Sequence, residues 1–109
     1  MPKLRLRRTI LFVRDIALLA RFYRDVLGLT VRNGSAREGW VDFGPLALHR
    51  GTPRPGSTKI AFYVSNVPRS CADLMARGAK FGKVKDFGDL VLCDGEDPEG
   101  NPIQLSNRR

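Results

Sequence analysis

The nine residues Arg-Thr-Ile-Leu-Phe-Val-Arg-Asp-Ile at positions 8–16 return in altered form as Lys-Ile-Ala-Phe-Tyr-Val-Ser-Asn-Val at positions 59–67. Each segment is a short apolar run followed by an Asx residue, Asp15 in the first and Asn66 in the second. An apolar run of this length is typical of a strand, and Asx residues cap helices. The repeat therefore predicts two copies of one strand–helix module.

The segments that follow each copy also correspond. Apolar residues at three- and four-residue spacing predict helices over about 16–27 and 68–77, which end at Gly28 and Gly78. In the second helix we expect Cys71, Leu74 and Met75 to form the buried stripe. Three strands are predicted after each helix: Thr30–Arg32, Trp40–Phe43 and Leu46–Arg50, then Phe81–Val84, Leu90–Cys93 and Ile103–Ser106. Turns are predicted at Asn33-Gly34, Gly44-Pro45 and Asp97–Asn101. The 109 residues thus form one α+β domain, with module one over about 7–50, a linker over about 51–58 and module two over about 59–107.

Composition narrows the class of protein. The chain is 42% hydrophobic and 28% charged, as in ordinary globular domains, and its apolar runs fall well short of a membrane span. The basic N-terminus lacks a signal-peptide pattern. Two cysteines, Cys71 and Cys93, are too few for a disulfide framework or a metal cluster, so we expect a reduced, cytoplasmic protein. The net charge of +8 favours anionic partners.

Side chains alternate between the two faces of a strand, so each predicted strand divides into two sets. One set is almost purely hydrocarbon and is expected to pack under the helices: Leu11, Val13, Val41, Phe43, Leu46, Leu48, Ile60, Phe62, Val64, Ile103 and Leu105. The other mixes cationic, aromatic and hydrogen-bonding groups: Arg8, Ile10, Phe12, Trp40, Asp42, Ala47, His49, Lys59, Ala61, Tyr63, Gln104 and Ser106. A solvent-facing sheet surface is one interpretation. Three aromatic rings on that face favour the other, a concave ligand pocket.

Two segments carry a resemblance to a known family. The first is Phe-Tyr-Arg-Asp-Val-Leu-Gly-Leu at 22–29, preceded by Phe-Val-Arg-Asp at 12–15, and the second is Asp-Pro-Glu-Gly-Asn-Pro-Ile-Gln-Leu at 97–105. The chain resembles the vicinal oxygen chelate superfamily, which includes glyoxalase I, extradiol dioxygenases, fosfomycin-resistance enzymes and bleomycin-resistance binding proteins. This resemblance spans essentially the whole chain. It implies tandem βαβββ modules whose curved, mixed sheets enclose a cavity, usually within a homodimer.

The same resemblance points to four cavity-facing positions that carry His or Glu in metal-dependent members. In this chain they are Arg8, Ala47, Lys59 and Gln104, although an alignment shifted by two residues would put His49 in place of Ala47. A guanidinium has no lone pair to give, an ammonium must first lose its proton, and alanine offers no donor. We therefore expect no metal and no other cofactor.

These side chains suggest a different ligand chemistry. Because Arg8 and Lys59 open equivalent strands, we expect them to hold an anionic group together. Asp42 leaves an alternative open, since it would instead neutralise one of these two cations. Tyr23 belongs to the resemblance but lies on the apolar helix face, so we expect it in the core. The predicted ligand-binding residues are Arg8, Phe12, Trp40, Asp42, His49, Lys59, Tyr63 and Gln104, with His49 and Asp42 as candidate catalytic bases.

Three functions follow from these residues. The first is metal-independent binding of a small anionic or aromatic molecule by a homodimer. The second is a lyase, isomerase or dioxygenase-like enzyme, in which Arg8 and Lys59 stabilise an oxyanion while His49 or Asp42 takes the proton. The third and least supported is a nucleic-acid-binding module, because no recognised motif accompanies the basic residues. Its phosphate contacts would come from Lys3, Arg5, Arg7, Arg108 and Arg109.

Overall fold

The computed structural model describes residues 8–53 and 58–108. The chain divides into two compact units, Met1–Pro53 and Arg54–Arg109, which we call module one and module two. Lys3, Arg5, Arg7 and Arg109 of the predicted basic patch, and part of the predicted linker, lie outside the described residues. Within the described ranges, no helix is long and apolar enough to cross a membrane.

Module one is a four-stranded sheet with a helix. Its described elements are β1 (Thr9–Val13), α1 (Ile16–Arg21) with a π-helical continuation (Phe22–Val26), β2 (Asn33–Ser35), a 3-10 turn (Ala36–Glu38), β3 (Trp40–Asp42) and β4 (Leu46–Arg50). The strand order is β1-β4-β3-β2, with β1 parallel to β4 and the other pairs antiparallel. The two ends of the module, β1 and β4, thus lie side by side.

The first helix begins and ends as the sequence predicts. Asp15 is its N-cap, and its Oδ1 accepts a hydrogen bond of 3.0 Å from the amide of Leu18. The last turn widens, because the amide of Leu27 donates to the carbonyl oxygen of Phe22 at 3.1 Å. Gly28 follows with φ of +80°, a conformation that glycine adopts without steric cost. The predicted helix over 16–27 is confirmed, with a π-helical final turn that the pattern does not show.

The core of module one lies between α1 and the sheet. Its fully buried side chains include Val13, Leu19, Tyr23 and Leu48. The ring of Tyr23 meets that of Phe22 edge-on at a centroid distance of 5.3 Å. The prediction of Tyr23 as a core residue is confirmed.

Module two repeats this plan with one additional short strand. Its described elements are β5 (Ile60–Tyr63), α2 (Val67–Ala76), β6 (Lys80–Phe81), β7 (Lys85–Asp86), β8 (Val91–Glu96) and β9 (Pro102–Ser106). The sheet order is β5-β9-β8-β6, and β7 also pairs with β8. As in module one, the first strand is parallel to the last, and the other pairs are antiparallel. The mixed α+β fold predicted from the repeat is confirmed.

The second helix is capped as predicted, but its buried face is narrower. Asn66 accepts a hydrogen bond of 3.1 Å from the amide of Arg69. Cys71 is buried and Leu74 packs against the core. The prediction that Met75 is buried is wrong, since its side chain is 48% exposed. It lines a surface cleft together with Ala79 and Phe81, and this cleft exposes its side chain.

Three strand predictions need correction. The strand predicted at 30–32 lies instead at Asn33–Ser35, because Asn33-Gly34 pairs with β3 and the reversal falls in the 3-10 turn. The strand predicted at 81–84 is split into β6 and β7, which pair with different parts of β8. The strand predicted at 90–93 continues to Glu96.

The predicted turn before β9 is held by a buried carboxylate. Asp97 is only 2% exposed, and its Oδ1 accepts hydrogen bonds from the amides of Glu99 and Asn101, both at 2.9 Å. The side-chain amide of Asn101 donates to both carboxylate oxygens. These donors explain the burial of Asp97 as a structural feature of the turn.

Candidate functional site

The predicted site residues lie on the sheet face opposite the helix in each module, which we call the open face. In β1, Leu11 and Val13 are buried toward α1, while Ile10 and Phe12 alternate with them and are 46% and 51% exposed. In β5, Tyr63 is likewise 46% exposed. The structure therefore places these apolar side chains where a ligand or another protein surface can reach them.

Three ring side chains form a row across the open face of module one. Phe12 lies opposite His49, and His49 lies opposite Trp40. The rings of Phe12 and His49 are 6.1 Å apart between centroids and inclined by 58°. The Trp40 ring packs against Gly34, where an added Cβ would lie 2.7 Å from its Cε3 atom. The row is a half-exposed aromatic strip with one titratable ring at its centre.

The surroundings of His49 bear on its predicted role as a catalytic base. Within the described residues its ring contact is with Phe12, and no carboxylate there accepts a hydrogen bond from it. A general base needs a partner that fixes its tautomer and orientation. The ring is suited to stacking and hydrogen bonding with a ligand.

Arg8 and Asp42 form an ion pair beside this row. Nη2 of Arg8 lies 3.7 Å from Oδ2 of Asp42, and the side chains are 40% and 14% exposed. Oδ1 of Asp42 accepts a hydrogen bond of 2.7 Å from the amide of Gly44, which holds the carboxylate in place. The Arg8 contact is too long for a strong hydrogen bond, so the attraction is mainly Coulombic.

Lys59 and Asp94 form the corresponding pair in module two. Nζ of Lys59 lies 3.3 Å from Oδ1 of Asp94, and Nε2 of Gln104 donates to the same oxygen at 3.0 Å. The hydrogen bond from Gln104, followed by the contact with Lys59 and the charge of Lys85, holds the pKa of the Asp94 carboxyl below its usual value. Asp94 therefore organises the polar part of this face.

The two pairs occupy equivalent positions. In module one, Ile10, Ala47 and Asp42 lie opposite one another across three strands. In module two, the same row consists of Ala61, Gln104 and Asp94. In each module the cation lies two residues before the first member of the row and therefore on the same face of the strand. It forms an ion pair with the aspartate at the other end of the row. Both modules therefore have a cation–aspartate pair at the same position on the sheet.

Asp94 is the residue that sequence reasoning missed. The predicted strand ended at Cys93, which left Asp94 outside the alternation that defined the open face. Two signals could have identified it. Asp94 and Glu96 continue the alternation of the strand beyond Cys93, and Asp94 corresponds to Asp42 in module one.

The equivalence also bears on the family's metal positions. By register, Ala47 corresponds to Gln104, and His49 corresponds to Ser106 in the next row. The four positions thus present a guanidinium, a methyl group, an ammonium and an amide whose nitrogen already donates to Asp94. Nor do three His, Cys, Asp or Glu side chains cluster anywhere in residues 8–53 and 58–108. This donor set does not fit a divalent metal.

The structure gathers the predicted residues into two sets. Module one holds Arg8, Phe12, Trp40, Asp42 and His49 on its open face. Module two holds Lys59, Tyr63 and Gln104, joined there by Asp94.

The fold of the two modules and the placement of their open-face residues are those of the vicinal oxygen chelate superfamily. Residues 8–106 match the glyoxalase-like domain model, and the chain belongs to that family. No curated protein sequence matches it significantly.

Solved structures share the fold at low sequence identity. A glyoxalase/bleomycin resistance protein/dioxygenase from Nocardioides superposes with a TM-score of 0.79 at 20% identity, covering 97% of this chain and 84% of that one. An antibiotic-binding protein from Streptomyces gives 0.74 at 21% identity, with 96% of each chain covered. A lactoylglutathione lyase from Agrobacterium tumefaciens gives 0.74 at 20% identity, covering 96% of this chain and 94% of that one. At these identities the likeness shows the fold alone.

Proposed function

We propose that this protein is a metal-independent binding protein for a small anionic or aromatic molecule, which binds on an open face. The observation that carries the proposal is the repeated cation–aspartate pair at Arg8 and Lys59. A cation there attracts a carboxylate, phosphate or sulfonate. It repels a dication by about 6–7 kcal/mol at roughly 5 Å and an effective dielectric of ~20, before the nearby aspartate offsets part of this.

The geometry of module one favours a ligand that is both aromatic and anionic. Because Arg8 lies as far as 3.7 Å from Asp42, its guanidinium can also donate hydrogen bonds to a ligand. Phe12 and Trp40 lie on the same face of the sheet and supply aromatic surface for contact with an aromatic body. Lys59 in module two makes a closer contact with its aspartate and is a weaker candidate for the anion.

The structural neighbours support the choice of class. The Streptomyces neighbour is an antibiotic-binding protein and the Agrobacterium neighbour is a lyase, so the same fold serves both binding and catalysis. The metal-ligand positions of this chain favour binding.

The experiment is calorimetric titration with 2-naphthoate as an anionic aromatic probe and 2-naphthalenemethanol as its neutral counterpart. We expect naphthoate to bind more tightly. Arg8→Ala should weaken naphthoate binding by roughly tenfold, in keeping with a hydrogen bond to a charged group. Asp42→Asn should strengthen it, because it removes the competing carboxylate and keeps the oxygen that accepts from Gly44. Arg37→Ala, an exposed cation in the 3-10 turn of the same module, is the matched control and should change nothing.

Two results would contradict this proposal. One is equal naphthoate affinity in Arg8→Ala, Asp42→Asn and the unmodified protein. The other is a large rise in melting temperature with Mn²⁺, Ni²⁺, Fe²⁺ or Zn²⁺ that a chelator reverses, since a ligand at 100 times its dissociation constant stabilises by about 2.7 kcal/mol.

An enzymatic lyase or isomerase is the second candidate, and the observation that favours it is the central place of His49 in the aromatic row. It requires a bound substrate with a transferable proton within about 3 Å of a His49 ring nitrogen. Loss of turnover in His49→Gln with unchanged substrate affinity would support it over simple binding.

We extend the proposal to a homodimer in the cytoplasm. The side chain of Phe87, which lies outside the predicted site and is 66% exposed, is apolar surface of the kind that pairing of copies covers. Two free, buried thiols suit a reducing compartment. Light scattering that finds a monomer at all concentrations would remove the dimer from the proposal.

A further inference from the structure

The two cysteines lie side by side in the core of module two. Cys71 is on α2 and Cys93 is on β8, and the thiol of Cys93 donates to Sγ of Cys71 at 2.9 Å. Both side chains are buried, at 4% and 0% exposure, in a cluster with Val67 and Leu105. A disulfide bond is about 2.05 Å long, so the two sulfur atoms need to approach by only about 1 Å to form one.

A third sulfur atom connects this pair to the surface. The thiol of Cys71 lies 3.9 Å from Sδ of Met75, whose side chain is 48% exposed. Met75 also lines a surface cleft of about 570 Å³ together with Ala79 and Phe81. Small solutes in this cleft reach Met75 directly, and Cys71 is the next sulfur atom inward.

The two thiols differ in their position relative to the surface cleft. Burial, and then the hydrogen bond with Cys71, raises the pKa of Cys93 to about 12. The thiolate is the form that attacks an oxidant, so Cys93 is a poor first nucleophile. Cys71, which is closer to the exposed Met75, is the thiol placed to react first.

We propose that Cys71 and Cys93 are a modification site at which hydrogen peroxide closes an intramolecular disulfide between α2 and β8. The Cys71 sulfur attacks one peroxide oxygen and the O–O bond breaks, which yields a sulfenic acid and one water. The Cys93 sulfur then displaces the oxygen from Cys71 and gives up its proton, so the S–S bond forms and a second water leaves. The two thiols supply the two electrons that reduce the peroxide. A dithiol reductant reverses the change by thiol–disulfide exchange.

The bond would tie a helix to the sheet of module two. It joins residues 22 positions apart and so restricts the unfolded chain. We expect the melting temperature to rise by roughly 10 °C on oxidation. Asp94, next to Cys93 on β8, stays on the opposite strand face and keeps its place beside Lys59.

The test is peroxide treatment of the folded full-length protein, followed by non-reducing digestion and mass spectrometry. The expected product is a chain with no disulfide to another chain and with a Cys71–Cys93 cross-linked peptide, about 2 Da lighter than the two free peptides, which dithiothreitol releases. Met75→Leu keeps the side-chain bulk, removes the competing oxidation of the exposed thioether, and should form the same cross-link. Cys93→Ser should show a sulfenic acid at Cys71 and no rise in melting temperature.

Three results would overturn the proposal. They are disulfide-linked dimers as the main product, over-oxidation of either thiol without a cross-link, and free thiols in the folded protein under conditions that cross-link the urea-unfolded chain. The measurements on the unmodified protein decide the question even if Cys93→Ser fails to fold.

Discussion

Module one buries three aromatic rings in its core, whereas module two buries two thiols in its own. Phe22, Tyr23 and Phe43 are all less than a tenth exposed, and the Tyr23 and Phe43 rings are 6.2 Å apart. In module two, Cys71 and Cys93 fill the space between α2 and the sheet. The same strand order thus accommodates two kinds of core, one of packed aromatic rings and one with two neighbouring thiols.

The open faces differ in the same way. Module one presents the row of Phe12, His49 and Trp40, while the corresponding row of module two contains Tyr63 and Ser106. The cation–aspartate pairs are nevertheless kept in both modules. Backbone register therefore fixes where the charges lie in both modules, while the side chains around these charges differ.

The largest predicted effect is a difference in stability between substitutions in the two cores. Tyr23→Ala removes a fully buried ring from module one and should lower the free energy of unfolding by about 3–5 kcal/mol. Cys93→Ala removes a single sulfur atom from module two and should cost only about 1–2 kcal/mol. Urea unfolding of both variants measures the difference. A cost for Tyr23→Ala no greater than that of Cys93→Ala would show that the aromatic cluster is not the more important core.

The two helix N-caps should contribute equally to the free energy of unfolding, and each should contribute less than the Tyr23 ring. Asp15→Ala and Asn66→Ala each remove a helix N-cap and should each cost about 1 kcal/mol. Asp15→Asn keeps an accepting oxygen at the same place and should cost only a few tenths of that amount. Melting temperatures that fall for one cap and not for the other would break the equivalence of the two helices.

The smallest effect concerns the ionisation of Asp94. Its lowered pKa means that its carboxylate stabilises the folded state above its ordinary pKa of 3.8, and this contribution is lost as the pH falls through the lowered value. Gln104→Ala removes the main cause of the lowering and should move the pKa of Asp94 upward. Lys85→Ala removes only a distant charge and should move it less. Carboxyl-carbon NMR titration reports both, and an unchanged pKa in Gln104→Ala would refute the proposed hydrogen-bond control.

Local sequence signals were sufficient for the helices and for the repeat. Asp15 and Asn66 cap because their short side chains reach the first free amides, a property that depends on neighbours three residues away. The period-two alternation also placed Phe12, Trp40 and His49 on one face of their strands correctly. These features depend on residues close together in the chain.

Pairing between segments that are far apart in the sequence determined the features that local signals did not predict. Asn33-Gly34 resembles a turn, yet β3 binds it as a strand. Asp94 enters the site because β8 extends to Glu96 alongside β9. The contact of Cys71 with Cys93 arises from the packing of α2 on β8, which the spacing of two cysteines does not reveal.

By itself, then, the sequence determined the two-module plan and the helix caps, because each of these depends on residue type and short-range spacing. The tertiary structure alone decided that each cation has an aspartate beside it and that two thiols face each other in one core. Those contacts join residues from different elements, and strand register and helix packing bring them within reach.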